Sequence, residues 1–487
     1  MKELRLADLG TGATRVLKRA APLLGGDVYL VGGAVRDILL GQGSARHDLD
    51  LAVPREALSI ARRVADHLGG HLVVLKEERG TARVLVEETG ERYQLDLADF
   101  RGAGIEGDLR GRDFTVDAMA VRLTELLGDG VAPLIDPLGG LEDLEKRRLR
   151  LCAPTALLDD PARSLRAVRL AQAFDMAIPT ELESALAAVG PLLGQVAVER
   201  LRDELLRLMD LSHGSRGLRE LDRLGFLEVL LPEVGPMRRC PQGPPHRYDV
   251  LEHSLRAVEA LELLLADLDR VFPDQPDLRA GLAESPEPGI GRAALLKLAA
   301  LLHDVAKPAT RTVDEERVRF IGHDKLGAEM SRAIGQRLRL ANASVQFLER
   351  LVRHHLRPMH LSQVETITPR ARYRFYRDLG DATPDLILLV VADAAATVGV
   401  EPAAVMSGAT GRLLRGLLGG WRVARDEARV PPLVNGHDIM AAFSLTPGPL
   451  VGQLLAEARE AQGLGLVTTK AEAIETLRRR LKGRDGT

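Results

Sequence analysis

Cysteine is almost missing from this chain: Cys152 and Cys240 are the only two in 487 residues. That excludes a disulfide framework and a thiolate zinc site. Aromatic residues make up only 3%, so any core is built from Leu, Val and Ala, and base stacking has few ring platforms. Neither sign of charge dominates, because 66 Lys and Arg face 69 Asp and Glu for a formal net charge of −3. No global basic field announces nucleic acid, and a polyanionic partner would need local arginine patches. Long apolar runs are lacking too; the longest, Leu386 to Val398, is interrupted by Asp393 and is short for a membrane span. The opening MKELRLADLG is too charged for a signal peptide, and no repeat or low-complexity tract stands out. The expectation is a cytoplasmic protein without a membrane segment, long enough for roughly three domains.

What is present centres on Val28 to Val53, VYLVGGAVRDILLGQGSARHDLDLAV. Val28 to Val31 is a β-branched and aromatic run of strand character. Gly32-Gly33 breaks it, and Ala34 to Leu40 continues as a helix. A strand, a glycine turn and a helix N-terminus make an anion cradle of bare N–H groups. After a polar loop, Asp48-Leu49-Asp50 opens a second strand. Residues two apart share a face there, so both carboxylates project together and repel unless a cation separates them. Hard oxygen ligands beside a phosphate cradle suggest Mg²⁺ holding a nucleoside triphosphate. A lone Gly-Gly turn is usually an ordinary connection, and a lone Asp-x-Asp a loop or cap. Their order and spacing together favour phosphoryl or nucleotidyl transfer.

The pattern GGAVRDILLG…DLD resembles the opening motif of the class II tRNA nucleotidyltransferase and bacterial poly(A) polymerase family, in the polymerase-β superfamily. The resemblance implies an α+β protein: a polymerase-β-like nucleotidyltransferase head followed by an all-α neck, body and HD domain. It assigns Asp48 and Asp50 as catalytic Mg²⁺ ligands, with Asp96, four or five positions before an Arg, as the third carboxylate. Gly32, Gly33, Arg36, Arg112 and Asp113 would bind the nucleotide. Arg112 to Ala120, RDFTVDAMA, is similar to the family's RRDFTINAMA, with Gly111 for the first Arg and Asp117 for the usual Asn. Ionised Asp accepts but does not donate, which puts ribose contact at 117 in question. Only GAGIEGDLRG (102–111) separates Phe100-Arg101 from Arg112. Members that add both cytidine and adenosine usually carry a longer flexible loop here, so the short link resembles the CC-adding subgroup.

Downstream, DDPARSLR (159–166) is similar to the family's EDxxRxxR, with Asp159 in place of Glu. Asp160, Arg163 and Arg166 are expected on one helical face, where a carboxylate and guanidiniums can read the edge of cytosine or adenine. An exposed salt-bridged face is the plainer reading of such spacing. Pro54 suits the first turn of a helix running to His67, and Pro161 that of the helix carrying DDPARSLR. Thr89-Gly90 is a hairpin signal between the strand-like Thr81 to Glu88 and Glu91 to Asp99. Leu134 to Asp136 reads as a strand, and the segment DPLGG (136–140) after it resembles a structural family element. A second constellation, His253, His303-Asp304 and Asp393, lies on apolar helical segments and suits a metal site. The order H…HD…D resembles the HD phosphohydrolases, with His323 and His354 or His355 available to a second metal. RARYRFYR (370–377) interleaves Arg with Tyr and Phe in a composition suited to phosphate and base contacts, or simply to a solvated face.

The expected organisation is a head at 1–152, a helical neck and body at 153–235, an HD domain at 236–405 and a helical tail at 406–487. The expected reaction is addition of CMP and/or AMP to a tRNA 3′ end from CTP and ATP, with Mg²⁺ in the head and an unidentified divalent metal at the HD site. Competing readings are a CC-adding-only member, a poly(A) polymerase, an HD phosphohydrolase with an inactive head, and a non-enzymatic RNA-binding protein.

Overall fold

The computed structural model describes residues 2–41, 47–314 and 317–484; most of the polar loop expected between Gly41 and Asp48, residues 42–46, lies outside them. The chain divides into two compact units. Met1–Glu204 with Glu220–Val229 form the first, and Leu205–Arg219 with Leu230–Thr487 the second. The stretch expected as neck and body, 153–235, therefore contributes to both.

The first unit is organised by a six-stranded sheet. Helix α1 (Thr11–Leu24) buries Ala13, Val16, Leu17, Ala20 and Leu24, a single helical stripe. Strand β1 (Tyr29–Val31) runs into α2 (Gly33–Leu39), then come β2 (Asp48–Val53) and α3 (Ala57–Leu68). Next are β3 (His71–Lys76), β4 (Thr81–Glu88) and β5 (Glu91–Asp99), followed by α4 (Gly104–Arg110) and β6 (Ala120–Arg122). The sheet order is β3-β4-β5-β2-β1-β6. Only the β2–β5 pair is parallel, and its register sets Asp50 opposite Asp96. Thr89 and Gly90, both at positive φ (53° and 82°), close the β4–β5 hairpin, as two-residue turns require.

Three local expectations are corrected. Pro54 does not open α3, which begins at Ala57 after Glu56 in the left-handed region; there the Asp99 carboxylate accepts from the Ala57 N–H at 2.8 Å. Of the strand expected at Leu134–Asp136 only Ile135 pairs, in a single antiparallel bridge with Ala120 of β6, and the strand proper is Val131–Pro133, paired with Glu3–Arg5. Asp136 instead accepts the N–H groups of Gly140 and Leu141. Asp160 precedes its helix rather than sharing a face of it: its backbone is extended, and α5 starts at Arg163 (Arg163–Ala173). The Pro at 161 holds the chain out of the helix for one more residue.

The helix α6 (Val198–Asp210) follows. The second unit is helical, apart from a short hairpin, around α7 (Val250–Ala266), α8 (Arg292–Leu302), α9 (His323–Arg337), α10 (Asn342–His354), α11 (Pro369–Leu379) and α12 (Thr383–Val398). Residues Ala294 to Leu302 of α8 are all buried, which makes it a central helix. It packs on α7, α10 and α12, and α9 packs on α10. A small separate core of Val434, Ile439, Val451, Leu454, Ala458, Ala461, Val467, Ala473 and Leu477 closes the tail. Among the described residues no helix is long and apolar enough to cross a membrane.

Candidate functional site

In the first unit the site grows from the β1–α2 turn. Gly32 has φ +70°, and a Cβ there would stand 3.0 Å from Arg112 Nη1 and 3.2 Å from Asp50 Oδ2. The turn therefore brings backbone, a β2 carboxylate and a guanidinium together, and only glycine leaves the space. The cradle is less bare than its sequence suggests, because the Gly32 N–H donates to the Met119 carbonyl at 3.2 Å. Asp48 and Asp50 share one face of β2, and the register adds Asp96 of β5 and Arg83 of β4 alongside Asp50. Arg83 holds Asp96 with two hydrogen bonds of 2.9 Å. The Asp96 hydrogen bond, and the charges of Asp96, Asp48 and Asp50, raise the Arg83 pKa against its desolvation. Three carboxylates on one sheet face form a hard-oxygen set that fits divalent cations.

Arg112 is held from behind. Its Nε and Nη2 donate to Asp108 Oδ2 at 3.0 and 2.9 Å, and Asp108 is buried on α4. The short link 102–111 is thus a packed helical turn, not an extended connector. Arg36 lies behind the turn: it is 6% exposed, ion-paired to Asp37 and Asp117, and stacked 4.0 Å over the Phe174 ring. Asp117, where the family pattern has Asn, supplies the charge that compensates this buried guanidinium.

Asp113 and Arg166 meet in a buried relay. Arg166 donates to Asp113 at 2.8 Å and to Glu204 at 2.9 Å, and Arg169 donates to Glu204 at 2.6 Å. Burial alone would raise the Asp113 pKa, yet Arg166, Arg163 and the Phe114 N–H hold it well below the usual carboxylate range. Asp160 accepts from Arg200 at 2.5 Å, while Arg163 donates to the Ala156 carbonyl at 3.1 Å and lies 3.9 Å from Asp160. Asp160 and Arg163 are thus neighbours, whereas Arg166 is committed to the relay.

In the second unit six side chains converge. His253 on α7 and His303 just past α8 approach Nε2 to Nε2 at 3.3 Å. Asp393 on α12 lies 3.1 Å from His253 Nε2 and 3.6 Å from His303 Nε2. Asp304 is central: Oδ2 lies 3.6 and 3.2 Å from His253 and His303 Nε2, and Oδ1 lies 3.4 and 3.7 Å from His323 and His355 Nε2. The histidine after α10 that joins is His355, not His354. Desolvation lowers the His303 pKa, but Asp304 and Asp393 outweigh it and push it up to about 10. Imidazole and carboxylate donors aimed at one point fit a divalent transition metal.

Residues 28–150 match the poly A polymerase head domain, 175–237 the probable RNA and SrmB-binding site of polymerase A, and 250–397 the HD domain. A Deinococcus radiodurans protein named A-adding tRNA nucleotidyltransferase is 36% identical, covering 91% of this chain and 93% of its own. A Thermus thermophilus protein named CC-adding tRNA nucleotidyltransferase is also 36% identical, covering 92% of each. The chain belongs to the tRNA nucleotidyltransferase family. Its fold is that of the family's solved members. A Thermotoga maritima CCA-adding enzyme solved with tRNA aligns over 99% of this chain and all of its own, at TM-score 0.54 and 21% identity.

Within this nucleotidyltransferase fold, several residues at the site carry no sequence motif. Arg83, Asp108, Arg200 and Glu204 each hold an expected site residue across 4 to 40 positions of sequence. Only the alternation of β4 hinted at Arg83. The arginines of RARYRFYR are also corrected: Arg370, Arg374 and Arg377, one face of α11, converge on the buried Glu460. They tie the tail to α11 rather than standing free for phosphate.

Proposed function

We propose that this family member transfers cytidylate from CTP to the 3′ end of tRNA. The observation that carries nucleotidyl transfer is the set of carboxylates on one sheet face, Asp48, Asp50 and Asp96, beside the Gly32 turn and Arg112. Asp48 and Asp50, with Asp96 assisting, would hold Mg²⁺, which supplies a lowered pKa for the 3′-hydroxyl and charge stabilisation for the departing pyrophosphate. The tRNA 3′-oxygen bonds to the α-phosphorus, the α–β phosphoanhydride bond breaks, and the hydroxyl proton passes to solvent. Arg112, braced by Asp108, and the backbone N–H of Gly33 bind the triphosphate. Arg36 and Asp113 order the turn and the RDFTVDAMA segment from behind. Asp160 and Arg163 read the base edge, and Arg166 fixes their helix to Asp113.

The preference for cytidylate rests on α4. Asp108 and Leu109 are buried and Asp108 is bonded to Arg112, which anchors this short segment and favours a pocket of one shape. Addition of AMP is the second reading, favoured by the 36% identity to a relative named A-adding. Transcripts lacking CCA, lacking the final A, or complete, supplied with CTP or ATP separately, decide between them. Two added residues with CTP alone support the proposal; extension only of the transcript ending in CC, with ATP, replaces it. A long adenylate tail on any transcript would instead mark a poly(A) polymerase. For the HD site we propose one divalent transition metal on His253, His303, Asp304 and Asp393. A cytoplasmic location suits the tRNA substrate.

A further inference from the structure

The sheet face that carries the carboxylates continues past them towards the β3 edge. Directly paired residues project to one side. The register therefore puts Asp50, Asp96, Arg83 and Val73 in one row across β2, β5, β4 and β3, with Gln94 and Leu85 paired in the row beside it. The opposite face is filled: Val84 and Leu95 are fully buried there, and α1 and α3 pack on β4 and β5. On the carboxylate face Val73 and Leu85 are each 41% exposed. One exposed aliphatic side chain is ordinary. Two diagonal neighbours on adjoining strands, bordering the carboxylate row, make an apolar step. Arg83 edges that step. Its Nε and Nη2 are spent on Asp96, but Nη1 makes no hydrogen bond among the described residues, and the side chain is 31% exposed.

The sheet order gives the carboxylates two sides. The Gly32 turn and Arg112, which take the triphosphate, lie on the β1 side. Entering and departing oxygens stand roughly in line across the phosphorus under attack. The 3′-oxygen therefore enters from the side away from the pyrophosphate, which is that of β5, β4 and β3. We propose that Val73, Leu85 and Arg83 seat the last nucleotide of the acceptor strand, the two aliphatic side chains under its base and Arg83 Nη1 on its phosphodiester. This rests on the transfer reading above and adds to it the place of the acceptor end. A nucleotide offers an apolar base face and an anionic linkage within one residue, and the step with its guanidinium complements both. Contact with a base face tolerates any base, which suits an end whose last residue changes with each addition. The side chains are aliphatic in a chain with only 3% aromatics.

The test has two arms on the full chain. In the first, a tRNA transcript lacking CCA carries 4-thiouridine as its last nucleotide and is photocrosslinked to the wild-type protein, with the attachment site read by peptide mass spectrometry. The crosslink is expected within His71–Lys76 or Thr81–Glu88. In the second, Val73→Ser with Leu85→Ser should raise the KM for tRNA roughly three- to tenfold, the scale of the lost apolar contacts, and leave the KM for CTP in place. A methylphosphonate at the last internucleotide linkage should weaken tRNA binding to wild type, and weaken it no further in Arg83→Met. Crosslinks confined to other segments, or a tRNA KM within about twofold of wild type, overturn the seat while CMP addition by the wild type leaves the transfer reading standing. Additive losses from Arg83→Met and the methylphosphonate overturn the phosphodiester contact. A wild-type dimer that the double variant dissociates replaces the acceptor end with a second copy of this chain. No CMP addition by the wild type overturns the transfer reading itself.

Discussion

Replacing Arg166 with Met isolates the buried relay that joins α5 to the RDFTVDAMA segment. Asp113 and Glu204 are 7% and 6% exposed, and Arg166 lies 2.8 and 2.9 Å from them. Removing one member of a buried ion pair costs about 3–5 kcal/mol. The Arg166 side chain is itself 39% exposed, so water reaches the gap, and Arg169 still holds Glu204; the loss is then about 2–3 kcal/mol. Hydrogen exchange of α5 amides in the rapid-reclosing regime reads this local opening, and such a loss speeds it by roughly 30- to 150-fold. The pH dependence follows from Asp113. Its folded pKa is depressed, so its contribution is present above the unfolded value of about 3.9 and is lost as pH falls through the lower folded value. In the variant burial raises that pKa, and protonation relieves the unpaired charge. The gap between wild type and variant is therefore wide at neutral pH and narrows towards about pH 4. Unchanged exchange, or a gap constant with pH, would refute the relay.

Two further substitutions probe the nucleotide seat. Gly32→Ala puts a methyl group 3.0 Å from Arg112 Nη1 and 3.2 Å from Asp50 Oδ2 at φ +70°; with about 1–3 kcal/mol of backbone strain, single-turnover addition should fall by roughly tenfold or more while circular dichroism is retained. Asp108→Asn keeps the shape but weakens two charge-assisted bonds to Arg112. A loss of about 1.5–3 kcal/mol should appear mainly as a higher KM for the nucleotide, measured by steady-state incorporation; an equal fall in kcat with KM unchanged would contradict a bracing role.

The parts of this protein legible in its sequence are those written by local periodicity. Alternation puts Asp48 and Asp50 on one face of β2, Thr89-Gly90 marks the β4–β5 hairpin, and H…HD…D marks helices that pack together. What could not be read is pairing between distant segments. The parallel β2–β5 register sets Asp50 against Asp96 and brings in Arg83, and no local pattern encodes a register between strands about 40 residues apart. The same holds for Glu204 beneath Arg166 and for Glu460 beneath Arg370, Arg374 and Arg377. Arginines at helical spacing look identical whether an RNA phosphate or a buried glutamate waits opposite them. Asp160 leaves the helical face for a local reason, since Pro161 near the helix start keeps the residue before it extended. The choice between His354 and His355 depended on where α10 ends.

If the paired acidic side chains on β2 hold the divalent cation used for nucleotide transfer, removing one carboxylate charge must stop the chemistry and spare the fold. The most direct measurement is incorporation of CMP into tRNA lacking CCA by Asp50→Asn, alongside circular dichroism and thermal unfolding of the same preparation. Incorporation should fall by at least about a thousandfold, the scale of a lost metal-assisted step, with secondary structure and unfolding temperature close to wild type. Incorporation within tenfold of wild type would contradict it.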